Sequence, residues 1–140
     1  MTDQGQIHAT TVSVEGKGIL LMGPSGSGKS ALALGLLALG AQLVSDDITL
    51  LHRDHDTVTA RAPDAAPAAI EARFVGLLRA RLTDAVPVAL VIDMGREESE
   101  RLPPHRTTTL LGVDCPCLHK VAHNHFPAAI MQYIRHGRLE

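Results

Sequence analysis

The strongest constraint on this chain is an eight-residue run that follows a short apolar segment. The run consists of Gly23, Pro24, Ser25, Gly26, Ser27, Gly28, Lys29 and Ser30. It fits the pattern G-x-x-x-x-G-K-[ST] in full, and its context fits as well, because the apolar segment Ile19–Met22 precedes it and a helical pattern follows it. A strand, a glycine-rich turn and a helix N-terminus in this order direct backbone N–H groups toward one point. The run therefore predicts a phosphate-binding loop in an α/β domain.

Each residue type in this loop has a chemical reason. Glycine lets the backbone curl around phosphate oxygens without a Cβ clash, so that successive N–H groups can donate to them. Lys29 offers a mobile positive charge to the β- and γ-phosphates, and Ser30 offers a hydroxyl to Mg²⁺. The loop thus predicts binding of a nucleoside triphosphate with Mg²⁺, and it leaves the fate of the phosphate open.

Length and composition exclude several classes of protein. The 140 residues predict a single domain over 1–140, and 45% apolar residues are enough to build its core. With no Trp, one Tyr, two Phe and a net charge of −2, the chain lacks the aromatic platforms and the basic field of a nucleic-acid-binding protein. No apolar run has transmembrane length, and Met1–Gln6 does not have the pattern of a signal peptide. We expect a cytoplasmic protein.

The order of elements favours α/β with a mixed central sheet. Apolar runs and alternation predict strands at Ile7–Val14, Ile19–Met22, Gln42–Ser45, Ile48–His52, Thr57–Arg61 and Val88–Met94, with shorter ones at Leu110–Val113 and Cys117–Val121. Helices are predicted at Lys29–Leu39, which Gly40 closes, and at Phe126–His136. Gly95–Arg101 is predicted as a charged turn or a short helix. The excess of strands in the middle of the chain indicates that the sheet is not purely parallel.

Two cysteines and several histidines fall close together near the C-terminus. Cys115 and Cys117 project to the same side if the backbone is extended, and reduced structural thiols are the expected state in a cytoplasmic protein. A zinc site is the alternative, with His119, His123 and His125 as further ligands. Their spacing matches no established structural zinc pattern, so we disfavour it.

Acidic residues supply candidates for the chemistry at the phosphate. Asp46 and Asp47 follow the predicted strand Gln42–Ser45, which we expect beside the strand that precedes the loop, because sequential strands are commonly neighbours. Carboxylates at that end of the sheet face the phosphate site, where one can hold the metal and the other can accept a proton. A solvated turn is the alternative interpretation. Asp93, at the end of another apolar strand, competes for the metal role.

Glu71 and Arg73 form a second polar pair. Alternation along an extended Ile70–Leu78 would place both side chains on one face. From the residues alone, an exposed ion pair is the favoured interpretation.

Several ordered segments together resemble the catalytic, C-terminal domain of bacterial HPr kinase/phosphorylase. His8 lies one strand ahead of the loop, and Leu43–Asp47 is similar to the family's LVADD segment. Ile70–Leu78 is similar to its signature IEVRGLGI, with Phe74-Val75 in place of Gly-Leu. The resemblance runs from about Ile7 to Leu118 and is greatest to the short alphaproteobacterial form that lacks the N-terminal domain. It implies a P-loop kinase fold similar to that of phosphoenolpyruvate carboxykinase.

The resemblance also implies a reaction and a set of site residues. The family transfers the γ-phosphoryl group of ATP to a serine of HPr, a small phosphocarrier protein. By position, Asp46 is the general base with Asp47 in support, Lys29 binds the β- and γ-phosphates, and His8 lies near the phosphates. The implied Mg²⁺ ligands are Ser30, Glu71 and Asp47. Longer members assemble into hexamers, so a homo-oligomer is expected.

The chain departs from the family at one functional loop. Longer members carry an arginine-containing loop, RPGRN, that is implicated in HPr binding and in the reverse reaction, whereas 120–126 here contains no arginine. We therefore expect the reverse, phosphorylase reaction to be weak or absent. Two alternatives stay open beside the protein kinase, namely a nucleotide-binding regulatory module with little catalysis and a small-molecule P-loop kinase.

Overall fold

A computed structural model describes residues 3–140, which form an α/β fold with a mixed sheet, as predicted. The strands in chain order are β1 Gln4–Val14, β2 Lys17–Met22, β3 Gln42–Ser45, β4 Ile48–Asp54, β5 Thr57–Arg61, β6 Ala69–Ala72, β7 Gly76–Arg79, β8 Val86–Glu97, β9 Arg106–Leu110 and β10 Val113–Lys120. The helices are α1 Lys29–Ala38 and α2 Phe126–His136. No helix within residues 3–140 is long and apolar enough to cross a membrane.

The sheet has both parallel and antiparallel neighbours. β8 is central, because β2 and β10 both pair with it in parallel. β1 pairs with β2, β3 and β4, in each case antiparallel, so it joins the P-loop side of the sheet to the hairpin β4–β5. β5 returns to the start of β8, which closes a ring of pairings through β1, β4, β5, β8 and β2.

Two apolar clusters lie on opposite faces of β2 and β8, so the chain forms three layers. Ile19 and Leu21 of β2 belong to the cluster beneath α1 and α2, whereas Leu20 belongs to the cluster beneath β4 and β5. All three side chains are fully buried, which explains why this strand has no polar alternation. Burial of each contributes about 1.5–3 kcal/mol, which fixes the strand that carries the phosphate loop.

Helix α1 ends at Ala38, one residue earlier than predicted, and Gly40 closes it as the sequence predicts. Gly40 has a φ of 107°, and its N–H donates to the carbonyl of Leu37 at 3.1 Å. Ala41 N–H donates to Leu36 O at 3.0 Å. These two bonds form a Schellman motif, which needs a left-handed residue where Gly40 stands.

Three predictions about the strands are wrong. β3 pairs with β1 and does not lie beside β2, because β1 on one side and β8 on the other already occupy both edges of β2. Residues 95–97 continue β8 instead of forming a turn or short helix. Leu110 ends β9, and Leu111-Gly112 is the tight turn into β10, so 110–113 is not a strand.

The prediction that the two cysteine side chains project to the same side of an extended segment is confirmed. Cys115 and Cys117 lie in β10 as free thiols, and both are buried in the cluster beneath β4 and β5. Burial raises the pKa of both thiols above its ordinary value. Neutral thiols on this face behave as small apolar side chains.

Candidate active site

The phosphate loop connects β2 to α1, and its backbone requires glycine at defined points. Gly23 has a φ of 147°, and a Cβ there would lie 2.9 Å from Ser27 Oγ and 3.1 Å from Gly95 N. Gly28 has a φ of 97° and immediately precedes α1. Side chains at these positions would force the loop out of its curled path.

The loop presents hydrogen-bond donors that the protein itself does not use. Within residues 3–140, the N–H groups of Gly26 and Gly28 donate to no protein acceptor, and the Ser27 hydroxyl is buried without a partner. The first N–H groups of α1 also lack helical acceptors, as in any helix. Lys29 is buried, and its ammonium donates to the carbonyl of Gly23. This arrangement of donors around one point suits an anion with several oxygens, such as a phosphate chain.

Asp46 connects the loop to three other parts of the fold. Its Oδ1 accepts from the Ser30 hydroxyl at 3.0 Å and from the Thr10 hydroxyl of β1 at 2.9 Å. Its Oδ2 accepts from the backbone N–H of Glu71 in β6 at 3.0 Å. The predicted proximity of Asp46 to the loop serine is therefore confirmed, although it arises through β1 and not through a neighbouring strand β3.

Asp47 and His8 lie side by side at the edge of the same site. Asp47 has a left-handed backbone with a φ of 69°, and its carbonyl accepts from Ala9 N–H at 3.0 Å. His8 Nδ1 lies 3.5 Å from Asp47 Oδ1, and the two side chains are 64% and 70% exposed. An exposed pair of this kind contributes little to stability, so both groups remain available to a ligand.

Asp93 does not join this group. It lies opposite Met22 in β8, where its carboxylate accepts from Gly95 N–H at 2.9 Å and lies 3.5 Å from Arg96 Nε. No hydrogen bond joins it to Ser30 or Asp46 among residues 3–140. The carboxylate that contacts the loop serine is Asp46, whereas a metal role for Asp93 stays a prediction.

The Glu71–Arg73 interpretation is wrong, because the segment turns where alternation was assumed. β6 ends at Ala72, and 73–75 form the turn into β7. Phe74 lies at the tip with a φ of 68°, which is costly for an aromatic residue. No ion pair joins Glu71 to Arg73 in the part of the chain described, and the exposed Glu71 side chain faces the cavity that Ser30 lines.

A cavity of about 970 Å³ opens beside the loop serine. The polar side of the cavity comes from Ser30, Asp46, Asp47, Glu71 and Arg73. The rest is largely apolar and comes from the 63–69 segment and from Phe74, Val75 and Leu77 of the hairpin. The residues predicted for the metal and the proton transfer therefore share one cavity, next to the phosphate loop.

Two further residues belong to this site and have no signal in the sequence patterns. Thr10 is fully buried and donates to Asp46, and Lys120 at the end of β10 donates from Nζ to Ser27 O at 3.1 Å. The pairing of β8 with β10 shifts here, from His119 opposite Asp93 to Lys120 opposite Glu97, so 94–96 bulge out of the ladder. The bulge places Gly95 against Gly23 and Pro24. A lone lysine at a strand end carries no local signal of such a contact.

The mixed sheet, and the glycine-rich loop between β2 and α1, place this chain in the α/β class with a phosphate-binding loop. The family model for the HPr Serine kinase C-terminal domain matches residues 1–114, and the chain belongs to this family. It is 35% identical over 125 residues to the HPr kinase/phosphorylase of Chlorobium phaeobacteroides, which covers 79% of the chain and 39% of that protein. It is 32% identical over 108 residues to the HPr kinase/phosphorylase of Lactobacillus delbrueckii subsp. bulgaricus, which covers 71% of the chain and 34% of that protein.

A solved structure extends the similarity over nearly the whole chain. The structure of the Hpr(Ser) kinase/phosphatase from Coxiella burnetii matches with a TM-score of 0.79 and 26% sequence identity, and the match covers 96% of this chain and 97% of that one. The matched region spans between a third and two fifths of the length of the two curated relatives.

Proposed function

We propose that this chain is an ATP- and Mg²⁺-dependent protein kinase that phosphorylates a serine of an HPr-like phosphocarrier protein. The observation that carries the proposal is the hydrogen bond from Ser30 of the phosphate loop to Asp46, at the wall of a large open cavity. A phosphate loop, a carboxylate and a space for an acceptor are the parts that phosphoryl transfer needs. Family membership supplies the class of acceptor.

The residues present fit a nucleotide with Mg²⁺. The unpartnered Ser27 hydroxyl, the free loop amides and the buried Lys29 ammonium supply donors for the β- and γ-phosphates. Ser30, Asp47 and Glu71 supply oxygen ligands of the kind Mg²⁺ prefers, and such sites use only one or two protein carboxylates beside phosphates and water. When bound, the ion would neutralise charge that develops on the phosphates.

Asp46 is the proposed proton acceptor, with Asp47 in support. Each carboxylate oxygen has two lone-pair sites, and Asp46 Oδ2 accepts a single protein donor, so one site remains for an acceptor hydroxyl. The three donors fix the orientation of this carboxylate, which favours proximity catalysis. His8 lies beside Asp47 and can hold its orientation through Nδ1.

The apolar wall of the cavity supports a protein as the acceptor. Phe74 is fully exposed and Val75 is 74% exposed at the tip of the β6–β7 hairpin, beside the carboxylates. Exposed apolar side chains at the rim of a site are typical of surfaces that bind another macromolecule. We infer that the acceptor presents apolar residues next to its serine.

The remaining parts of the proposal follow from family membership and from local sequence. The reverse reaction is weak or absent, because 120–126 offers no arginine. The free cysteines fit the reducing cytoplasm, where ATP and phosphocarrier proteins occur. Self-association is part of the proposal, and light scattering on the purified chain tests it directly.

The test is phosphoryl transfer between purified components. The chain is mixed with HPr, Mg²⁺ and ATP, and the intact mass of HPr is followed over time. We expect a gain of one phosphate that requires Mg²⁺ and that is absent when the target serine of HPr is replaced by alanine. ATP binding without transfer would instead indicate a nucleotide-binding regulatory module, and transfer to a small molecule alone would indicate a metabolite kinase.

A further inference from the structure

Lys120 contacts the phosphate loop from the opposite end of the sequence. Its Nζ donates to the carbonyl oxygen of Ser27 at 3.1 Å, across 93 positions of the chain. Lys29 makes the same kind of bond to Gly23, but it belongs to the loop and moves with it. Lys120 therefore ties the loop to the central sheet, which Lys29 cannot do.

The backbone of Lys120 is itself held in place. Its carbonyl accepts from Glu98 N–H at 2.8 Å. The Glu98 carboxylate accepts from Arg106 at both oxygens, each at 3.0 Å, and this hydrogen-bonded guanidinium holds the pKa of Glu98 below its ordinary value. A bidentate pair of this kind has little freedom. The side chain of Lys120 therefore extends from a fixed strand end, which limits where its ammonium group can lie.

The bond to Ser27 O determines where the next N–H group points. The carbonyl of Ser27 and the N–H of Gly28 belong to one peptide unit, and in a planar trans peptide these two groups point in opposite directions. The peptide between Ser27 and a glycine with a φ of 97° would otherwise rotate easily. Fixing the carbonyl toward Lys120 fixes the N–H away from Lys120.

We propose that Lys120 is a positioning residue that holds the Ser27–Gly28 peptide so that the Gly28 N–H faces the bound phosphates. The inference rests on the proposed function, since it assumes that the loop binds a nucleotide. Lys120 acts through the loop backbone and does not itself contact the γ-phosphate. Its loss therefore weakens ADP and ATP to the same extent, because the loop amides cradle the phosphates that both nucleotides carry.

The chain offers a matched control for this lysine. Lys17 Nζ donates to the carbonyl of Ile134 in α2 at 3.2 Å, so it also ties a backbone carbonyl across a long stretch of sequence, away from the phosphate loop. Lys17→Met removes the same kind of bond as Lys120→Met. Lys120→Arg keeps a charged donor of similar length and serves as the rescue variant.

The experiment titrates the four proteins with ADP and with ATP, each with Mg²⁺, by calorimetry and follows thermal unfolding. For Lys120→Met we expect about tenfold weaker binding of both nucleotides, which is the usual effect of losing a charged hydrogen bond. Lys17→Met and Lys120→Arg should bind within about threefold of the unchanged protein. Weaker binding of ATP alone would overturn the inference, because it would show a direct contact with the γ-phosphate. Unchanged binding of both would overturn it as well.

A second measurement, on the nucleotide-free protein, separates this inference from the proposed function. In amide NMR spectra, Lys120→Met should shift the Gly28 signal, because the Ser27–Gly28 peptide is no longer held, whereas Lys17→Met should not. If the unchanged protein binds neither nucleotide, the proposed function fails and the Gly28 signal still decides the role of Lys120. An unchanged Gly28 signal would overturn the inference, as would a large fall in melting temperature for Lys120→Met, since a loop clamp acts locally.

Discussion

The phosphate loop and the β6–β7 hairpin line the same site but are built in opposite ways. The loop lies between the buried strand β2 and helix α1, and Lys29, Lys120 and Asp46 fix its carbonyls and its serine by hydrogen bonds. Among residues 3–140, the two strands of the hairpin form ladder pairs only with each other, and the hairpin tip carries the fully exposed Phe74. One side of the site is already ordered for its ligand, and the other leaves apolar surface uncovered.

This difference indicates two modes of recognition within one site. Preorganised donors stabilise charge without rearrangement during the reaction, which suits the phosphates. An exposed apolar tip gains stability only when a partner covers it, which suits an acceptor protein. Changes on the loop side should therefore reduce transfer to any acceptor. Changes on the hairpin side should weaken binding of the acceptor protein and leave the affinity for ATP unchanged.

Among changes that act on the use of ATP, the largest effect is expected for Lys29→Met. Removing a buried cation from the loop should lower kcat/KM for ATP by about 100-fold or more, since loss of one preorganised donor has an effect of this size. Initial rates of HPr phosphorylation measure this, with Lys17→Met as the control that should retain its rate. Undiminished transfer by the Lys29→Met protein would show that the loop takes no part in the reaction.

Glu71→Gln should show the next largest effect, on the requirement for metal. The exposed Glu71 carboxylate lines the cavity with Ser30, so its loss should raise the Mg²⁺ concentration for half-maximal transfer by about tenfold. A Mg²⁺ titration at fixed ATP gives this value. Glu15→Gln is the matched control, because Glu15 pairs with Arg135 of α2. Equal Mg²⁺ curves for the two variants would exclude Glu71 as a ligand.

Phe74→Ser should separate the two sides of the site. We expect KM for HPr to rise about fivefold, as for loss of an apolar contact residue, with no change in the affinity for ATP. Leu102→Ser, which also removes an exposed apolar side chain but lies outside the cavity, should leave both values unchanged. Weaker ATP binding in Phe74→Ser would contradict the division between the two sides.

The smallest effect concerns the strained backbone at the same position. Phe74 has a left-handed φ of 68°, so Phe74→Gly should raise the free energy of unfolding by up to about 1 kcal/mol. Chemical denaturation measures this, and Leu77→Gly, within the neighbouring strand, should destabilise instead. A destabilised Phe74→Gly protein would show that the turn is not strained.

The parts of the fold that sequence patterns predicted are those with local signals. The phosphate loop is contiguous, and the apolar runs of β2 and β8 and the spacing of Phe126, Ile130 and Ile134 in α2 each lie within one window of sequence. The position of β3 could not be predicted in this way, because the choice of β1 as its partner depends on β8 lying on the other side of β2.

The missed parts of the site depend on contacts between distant segments. Thr10 and Lys120 reach Asp46 and Ser27 only after the sheet has assembled. The turn after Ala72 could not be predicted for a different reason. It places Phe74 in a left-handed conformation that sequence patterns assign to glycine or asparagine. Glu71 nonetheless lies beside Asp46, to which its N–H donates, and its role as a Mg²⁺ ligand stays a prediction.

The most direct test of the account compares Asp46→Asn with the unchanged protein in phosphoryl transfer to HPr, with ATP binding measured in parallel. An asparagine can still accept from Ser30 and Thr10 through Oδ1 and loses only the bond from Glu71 N–H, so ATP should bind within about threefold of its usual affinity. Transfer should fall by about 10²–10⁴-fold, the contribution of a general base. Transfer at the original rate by Asp46→Asn, or a loss confined to Asp47→Asn, would contradict the assignment of Asp46 as the proton acceptor.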